Sequence, residues 1–308
     1  MQALVIKSTG SWYLVKTDDG KLLKCRIKGK FRIQGIKSTN PIVVGDRVII
    51  KKENEDYLIL KLNNRKNIVI RKSVNLAKQT HIIASNVDQV ILMVTLKDPI
   101  TTTGFIDRFL ASAQAYKINV LIIFNKLDLY NNDLIDKHKR LDIIYRNIGY
   151  SCLSVSILND NLDELRNTMK GKINVIAGHS GVGKTTLINK LQPTLELKTE
   201  EISESHNQGQ HTTAFSELYQ LDFGAEIIDT PGIKGFGLVK MNQSEIGDYF
   251  IEFFKLKSDC KYHNCIHKDE PNCAVKSALE NGKIAKSRYI NYLNILKEDE
   301  ENYRINDF

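Results

Sequence analysis

Eight residues, Gly178-His179-Ser180-Gly181-Val182-Gly183-Lys184-Thr185, follow the spacing G-x-x-x-x-G-K-[ST]. Residues of these types in this order handle phosphate. The glycines allow a tight turn whose backbone N–H groups surround an anion at a helix N-terminus. Lys184 brings a point charge to the β- and γ-phosphates, which makes it a candidate catalytic group, and the Thr185 hydroxyl suits Mg²⁺. Thr186 opens the helical run behind the loop and joins the candidate nucleotide contacts. Upstream, Asn125-Lys126-Leu127-Asp128 suits a guanine base. The Asp128 carboxylate only accepts hydrogen bonds, so it matches guanine N1–H and the exocyclic amine, a donor pair that adenine lacks there. Asn125 can brace the base and the phosphate loop, and the aliphatic stem of Lys126 can cover the purine face. Ser154-Val155-Ser156 stands where a backbone N–H would meet guanine O6, and Ser154 and Val155 are taken as contacts.

Three further pieces complete a nucleotide switch. Asp229-Thr-Pro-Gly232 follows the apolar pair Ile227-Ile228. The Asp229 carboxylate is placed to hold the Mg²⁺ shell, and the Gly232 N–H to meet the γ-phosphate. Between it and the phosphate loop lies Gly209-Gln-His-Thr-Thr213, where a threonine should reach Mg²⁺ only when the γ-phosphate is present. Thr213 is the candidate and Thr212 the alternative. Many GTPases place Gln directly after D-x-x-G to orient the attacking water. Here Ile233 stands there, and an aliphatic side chain cannot do so. Intrinsic hydrolysis is expected to be slow, with His211 a candidate for the missing group and a mobile-loop histidine the alternative reading.

The base reader precedes the phosphate loop, the reverse of the ordinary order. All parts are present but rotated, so a circularly permuted domain is expected; domain termini that lie close together at the surface allow such rejoining. The rotation runs the chain from Gly232 through Gly235-Phe-Gly237 directly into the C-terminal segment, a link by which nucleotide state can act on that segment.

The C-terminal segment holds Cys260, Cys265, His267 and Cys273, in the spacing C-x₄-C-x-H-x₅-C. Three thiolates and an imidazole suit a closed, structural, tetrahedral Zn²⁺ site; His263 is a substitute ligand, and three free thiols are the alternative reading. A helix is expected from about 275 to 297. Lys276, Lys283, Lys286 and Arg288 lie on or beside it and are placed to touch phosphates, unless they simply form a solvated face.

The elements that must hold these residues emerge from patterning. Residues 1–68 alternate apolar and polar around turn signals such as Asp18-Asp19-Gly20, which predicts about five short strands and a small barrel of OB-fold or SH3-like type. Residues 69–245 alternate short apolar runs (Val90–Val94, Val120–Phe124, Ile173–Ala177) with helical spacing, the pattern of an α/β domain with a mainly parallel sheet. Residues 246–308 form the Cys/His module. The first 68 residues carry 15 Lys and Arg against 6 Asp and Glu, in a chain whose net charge is +8. So basic a module suggests a polyanion partner, nucleic acid above all, or merely keeps a small barrel soluble. No run approaches the roughly 18 apolar residues of a membrane span, no signal peptide is expected, and five cysteines argue against a disulfide framework. A cytoplasmic monomer without membrane association is the expectation.

The whole arrangement resembles the bacterial small-ribosomal-subunit-dependent GTPases of the RsgA (YjeQ/YloQ) type. The resemblance rests on the order barrel, permuted G domain, metal module, and on NKLD, GHSGVGKT, GQHTT, DTPG and the Cys260/Cys265/His267/Cys273 spacing. The family usually has a basic residue where Gln210 stands. It implies GTP hydrolysis stimulated by the 30S subunit, a role in late maturation of its decoding region, and an OB-fold and zinc module that both contact 16S rRNA. The rival reading is a permuted GTPase switch acting on a protein partner without RNA. A metabolic nucleotide kinase is disfavoured by Asn125–Asp128 and by the lack of an acceptor-site motif.

Overall fold

The computed structural model describes residues 1–9, 12–27, 41–54, 56–72, 80–195, 216–229 and 243–304. Alternation builds the first unit from β1 (Gln2–Ser8), β2 (Tyr13–Thr17), β3 (Leu22–Ile27), β4 (Arg47–Glu53) and β5 (Asp56–Leu62). Their inward positions Ala3, Val5, Tyr13, Val15, Cys25, Val48, Ile50 and Ile59 form a core of their own. The strands run β1-β2-β3-β5-β4, and β4 returns to β1 with Gln2 opposite Ile49, so the sheet closes. Only β3 and β5 pair in parallel. This is a five-stranded barrel of OB-fold type.

A hairpin of β6 (Ile68–Lys72) and β7 (Thr80–Ser85) joins the barrel to the next unit. The joint is tight. Gly45 has φ +90°, and a Cβ there would stand 2.0 Å from the Ser85 carbonyl oxygen. Beside it, the fully buried Asp46 accepts two hydrogen bonds from Arg65, both 2.7 Å, and one from Ser85 Oγ at 2.6 Å. Gly45→Ala adds both backbone strain and a clash, so a loss of about 2–5 kcal/mol is expected. A thermal melt checks this; an unchanged midpoint would mean that the hairpin is free to move off the barrel.

The central sheet adds β8 (Gln89–Val94), β9 (Asn119–Phe124), β10 (Ser151–Ser154), β11 (Ile173–Ala177), β12 (Glu217–Gln220) and β13 (Glu226–Asp229), in the order β10-β9-β8-β11-β13-β12. All neighbours are parallel except β12. The strands are continuously apolar because both faces are covered. Val90, Leu92 and Val94 enter one core, and Ile91 and Met93 enter the other. Helices α1 (Thr103–Ala115), α2 (Asn132–Ile148), α3 (Asp163–Met169) and α4 (Lys184–Leu191) pack on the faces. Thr102 and Asn131 cap α1 and α2 by accepting from Phe105 N and Leu134 N, and Gly149 ends α2 at φ +119°. The barrel and this sheet are continuous: β12 pairs antiparallel with β1, and Lys7 Nζ meets Glu217 at 2.7 Å.

The C-terminal module comprises α5 (Gln243–Ile246), α6 (Ile251–Phe254), α7 (Ala274–Glu280) and α8 (Lys286–Arg304). The single helix expected over 275–297 is therefore two, broken where Gly282 takes φ +70°. Arg288 also departs from expectation. It is 1% exposed, donating to Asp107 of α1 at 2.8 Å and to Glu252 of α6 at 2.7 Å, with its guanidinium 4.5 Å from the Phe250 ring centroid. Burial works against its charge, but Asp107 and Glu252 hold it firmly protonated. A side chain so enclosed touches no external phosphate. Asp107 also accepts from Tyr145 of α2 at 2.8 Å and Asn291 of α8 at 2.6 Å, so one carboxylate ties three helices together.

Candidate functional site

Parallel strands end at one edge of a sheet, and the loops that leave them there converge. The loops after β8, β9, β10 and β11 do so here. The phosphate loop Gly178–Gly183 turns into α4, with Gly183 at φ +100° immediately before Lys184. A Cβ on Gly183 would sit 2.7 Å from Asn125 Nδ2, so the phosphate loop and base reader touch where only glycine fits.

Asn125 makes the contact between them. It is 3% exposed; its Nδ2 donates to the Val182 carbonyl at 2.8 Å, and its Oδ1 accepts from Ile157 N at 3.1 Å. One side chain thus spans the base reader, phosphate loop and base loop. Tyr130, which sequence reading passed over, braces it from behind: its hydroxyl donates to the Asn125 carbonyl at 3.0 Å and accepts from Leu96 N at 2.8 Å. No spacing rule marks a tyrosine there. Lys126 takes the left-handed conformation (φ +62°), and its ammonium reaches the Asp98 carbonyl, which stretches its stem across the loop. Asp128 is exposed, and its backbone N–H is held by Ser156 Oγ at 3.0 Å.

In the base loop, strand hydrogen bonding continues into Val155. Val155 is buried, and its N–H donates to the Phe124 carbonyl at 2.8 Å. Ser154 Oγ lies 2.8 Å from His138 Nε2 on α2. The residues that touch the base reader are the next two, Ser156 and Ile157. Ser154 lies opposite Phe124 and Val155 N–H still bonds to Phe124, so the loop proper begins at Ser156.

On the phosphate side, Lys184 Nζ donates to the carbonyls of Gly178 at 2.9 Å and His179 at 2.6 Å, folded back over the loop it serves. Val182 is fully buried in the core beneath. Ser180 and Gly181 form the crest of the turn, and Thr185 and Thr186 open α4. The His179 ring stands 4.0 Å from that of Phe105 on α1. Partial burial, then the charge of Lys184, lowers its pKa, so it stays neutral beside the loop. Asp229 ends β13, which is paired directly with β11, and its backbone therefore lies at the same edge. Its side chain, with His211, Thr212, Thr213 and Gly232, lies outside the described residues.

The second constellation is compact. The ligand atoms of Cys260, Cys265, His267 and Cys273 all lie within 4.8 Å of one another. His267 Nδ1 is 3.6 Å from Cys260 Sγ and 3.4 Å from both Cys265 Sγ and Cys273 Sγ. Such spacing matches the edges of a tetrahedron around an ion with Zn–S bonds of about 2.3 Å. Burial pushes the Cys265 thiol up to about 12, so a metal would have to displace its proton. The surroundings hold the ligands in place: Tyr289 Oη donates to the His267 carbonyl at 2.8 Å, and Glu270 accepts from Ile266 N at 2.6 Å and Lys268 N at 2.9 Å. His263, the substitute candidate, is not in this cluster.

Comparison with known proteins agrees with this architecture. The RsgA GTPase family model matches residues 62–239, and the RsgA N-terminal domain model matches residues 2–57. The chain is 56% identical to the small ribosomal subunit biogenesis GTPase RsgA of Christiangramia forsetii, over all of this chain and 99% of that one. It is 58% identical to the protein of the same name from Flavobacterium psychrophilum, over 99% of this chain and 95% of that one. Among solved structures, YjeQ from Thermotoga maritima superposes with a TM-score of 0.79 at 35% identity, covering 97% of this chain and 98% of that one. YloQ, a circularly permuted GTPase, gives 0.77 at 30% identity, covering 98% and 95%. With the family model matching over half of its length and relatives matching from end to end, the chain belongs to the RsgA GTPase family.

Proposed function

We propose that this GTPase acts in late maturation of the small ribosomal subunit, with hydrolysis stimulated by the subunit itself. The observation that carries the reading is end-to-end identity of 56–58% to proteins named for small ribosomal subunit biogenesis. The convergence of the base reader, base loop and phosphate loop on Asn125 supports it. The barrel (1–68) and the Cys/His module (246–308), on either side of the G domain (69–245), would both contact 16S rRNA, in keeping with the basic charge of the first 68 residues. The protein would act as a cytoplasmic monomer.

Asn125, Lys126 and Asp128 hold the guanine, and the loop from Gly178 to Thr186 holds the phosphates. Thr185, Asp229 and Thr213 (or Thr212) would hold Mg²⁺, which when bound supplies positive charge to the β- and γ-phosphate oxygens. Lys184 adds its ammonium to the same charge, and His211 is the candidate to orient water in place of the glutamine absent at Ile233. The test is GTP hydrolysis measured alone and with 30S or 50S subunits. Stimulation by 30S alone is expected. Equal rates in all three would overturn the ribosomal assignment, and binding that ignores salt would point to a protein partner instead of RNA.

Cys260, Cys265, His267 and Cys273 would carry one structural Zn²⁺. About one zinc per chain is expected by atomic absorption, in line with three thiolates and one imidazole closing the coordination sphere. Cys265→Ser should lose that zinc and loosen the C-terminal module while the protein still binds GDP. Full stability in a metal-free preparation would show the cluster to be three plain thiols.

A further inference from the structure

Lys190 has no place in any nucleotide motif, yet the structure puts it at the guanine end of the site. It lies in the last turn of α4, the helix that starts at the phosphate loop. Its ammonium donates to three carbonyls of the base loop: that of Ile157, that of Leu158 at 3.1 Å and that of Asp160 at 2.8 Å. The N–H side of the same turn is closed internally, with Asn159 N and Asp160 N donating to the Ser156 carbonyl at 2.8 and 2.9 Å, and Ser156 N donating to Asp160 Oδ2 at 2.6 Å. One tight turn therefore leaves several carbonyl dipoles pointing the same way. Those dipoles repel one another unless a cation sits among them, and an ammonium with three donors satisfies three acceptors at once.

The turn matters because of what it borders. Ser156 Oγ positions Asp128, and Ile157 N meets Asn125. Leu158 at its tip is 75% exposed, an aliphatic side chain left open beside the base reader although its own carbonyl is anchored.

We propose that Lys190 is a guanine-positioning residue: it fastens the Ser156–Asp160 turn to the phosphate-loop helix, so that the Leu158 N–H, the one amide of the turn not engaged in the bonds above, meets guanine O6. This rests on the guanine-nucleotide reading of the site. It makes the base loop depend on the helix that carries the phosphates, so base and phosphate recognition share one rigid support. Lys190 touches no substrate atom and acts through the turn alone.

The test compares GDP with 2-aminopurine riboside diphosphate, which keeps the amine but lacks O6. Lys190→Met retains the stem and removes the ammonium. It should weaken GDP by about tenfold, the scale of one lost charge-assisted contact, and leave the analogue within about twofold of wild type. Lys190→Arg should restore most of the GDP affinity. Equal losses for both nucleotides, or no loss for GDP, would overturn the proposal. If Lys190→Met does not fold, the same pair of measurements on Lys190→Gln decides it. A wild-type protein that did not favour GDP over ADP would instead remove the guanine reading beneath it.

Discussion

Replacing Asp128 with Asn is expected to weaken GDP binding by a hundredfold or more and to raise affinity for xanthosine diphosphate. The carboxylate receives two hydrogen bonds from guanine, and bonds to a charged group are each worth ~1.5–3 kcal/mol. Losing one of them outright and the charge of the other costs about 3 kcal/mol or more, or roughly two powers of ten in Kd. The amide keeps an acceptor for N1–H and offers a donor, which guanine's amine rejects and the C2 oxygen of xanthine accepts. The fold should not suffer, because Asp128 is exposed and it is its backbone N–H, not its carboxylate, that Ser156 holds. Competition against a fluorescent GDP checks this. GDP affinity equal to wild type would mean that the base lies elsewhere.

The second large effect is on stability. Arg288→Met should destabilise the junction of the G domain and C-terminal module by about 3–5 kcal/mol, because breaking a buried ion pair from one side strands the other charge. Asp107, fully buried, would keep Tyr145 and Asn291 as donors but lose its counter-charge. Glu252 would lose both of its arginine contacts. The combined variant Arg288→Met/Asp107→Asn/Glu252→Gln should recover a good part of the loss, since neutral partners remove the stranded charges. Calorimetric melts of the single and combined variants measure this. A single variant as stable as wild type would show that the ion pairs hold nothing together.

The second effect bears on how the nucleotide site and the C-terminal module are joined. Sequence order suggests a link through Gly235-Phe-Gly237, which lies outside the described residues. The described residues contain a different one. Helix α1 meets the phosphate loop through Phe105 and His179, and two residues further along α1 Asp107 grips Arg288 of α8.

Much of the site was legible in the sequence because its chemistry dictates residue type at fixed spacing. A phosphate-wrapping turn calls for glycine, and Gly183 stands where only glycine clears Asn125; a guanine reader calls for an acceptor-only side chain, the role proposed for Asp128. The cysteine spacing was legible as a cluster: the four ligand atoms converge within 4.8 Å of one another, as a tetrahedral ion would require. The strands were legible through burial: Val90–Val94 is apolar at every position because it feeds two cores, whereas β3 alternates because it faces one. What escaped were pairings that no local pattern encodes. Arg288 looks like any basic residue on an amphipathic helix, and only the approach of α1 and α6 buries it. The register of the base loop depends on pairing between Ser154 and Phe124, and Lys190 depends on a helix packing beside a loop distant in sequence. The break at Gly282 has a local signal, but helical spacing on either side of it obscured the two short helices.

Loops far apart in sequence, joined at Asn125, are proposed to form one pocket selective for guanine nucleotides. Displacement of fluorescent GDP from the purified protein by unlabelled GDP and by ADP tests it most directly. GDP should displace the probe at concentrations at least about a hundredfold below those of ADP, the ratio that two charge-assisted bonds to the base provide. Equal displacement by the two nucleotides would contradict it.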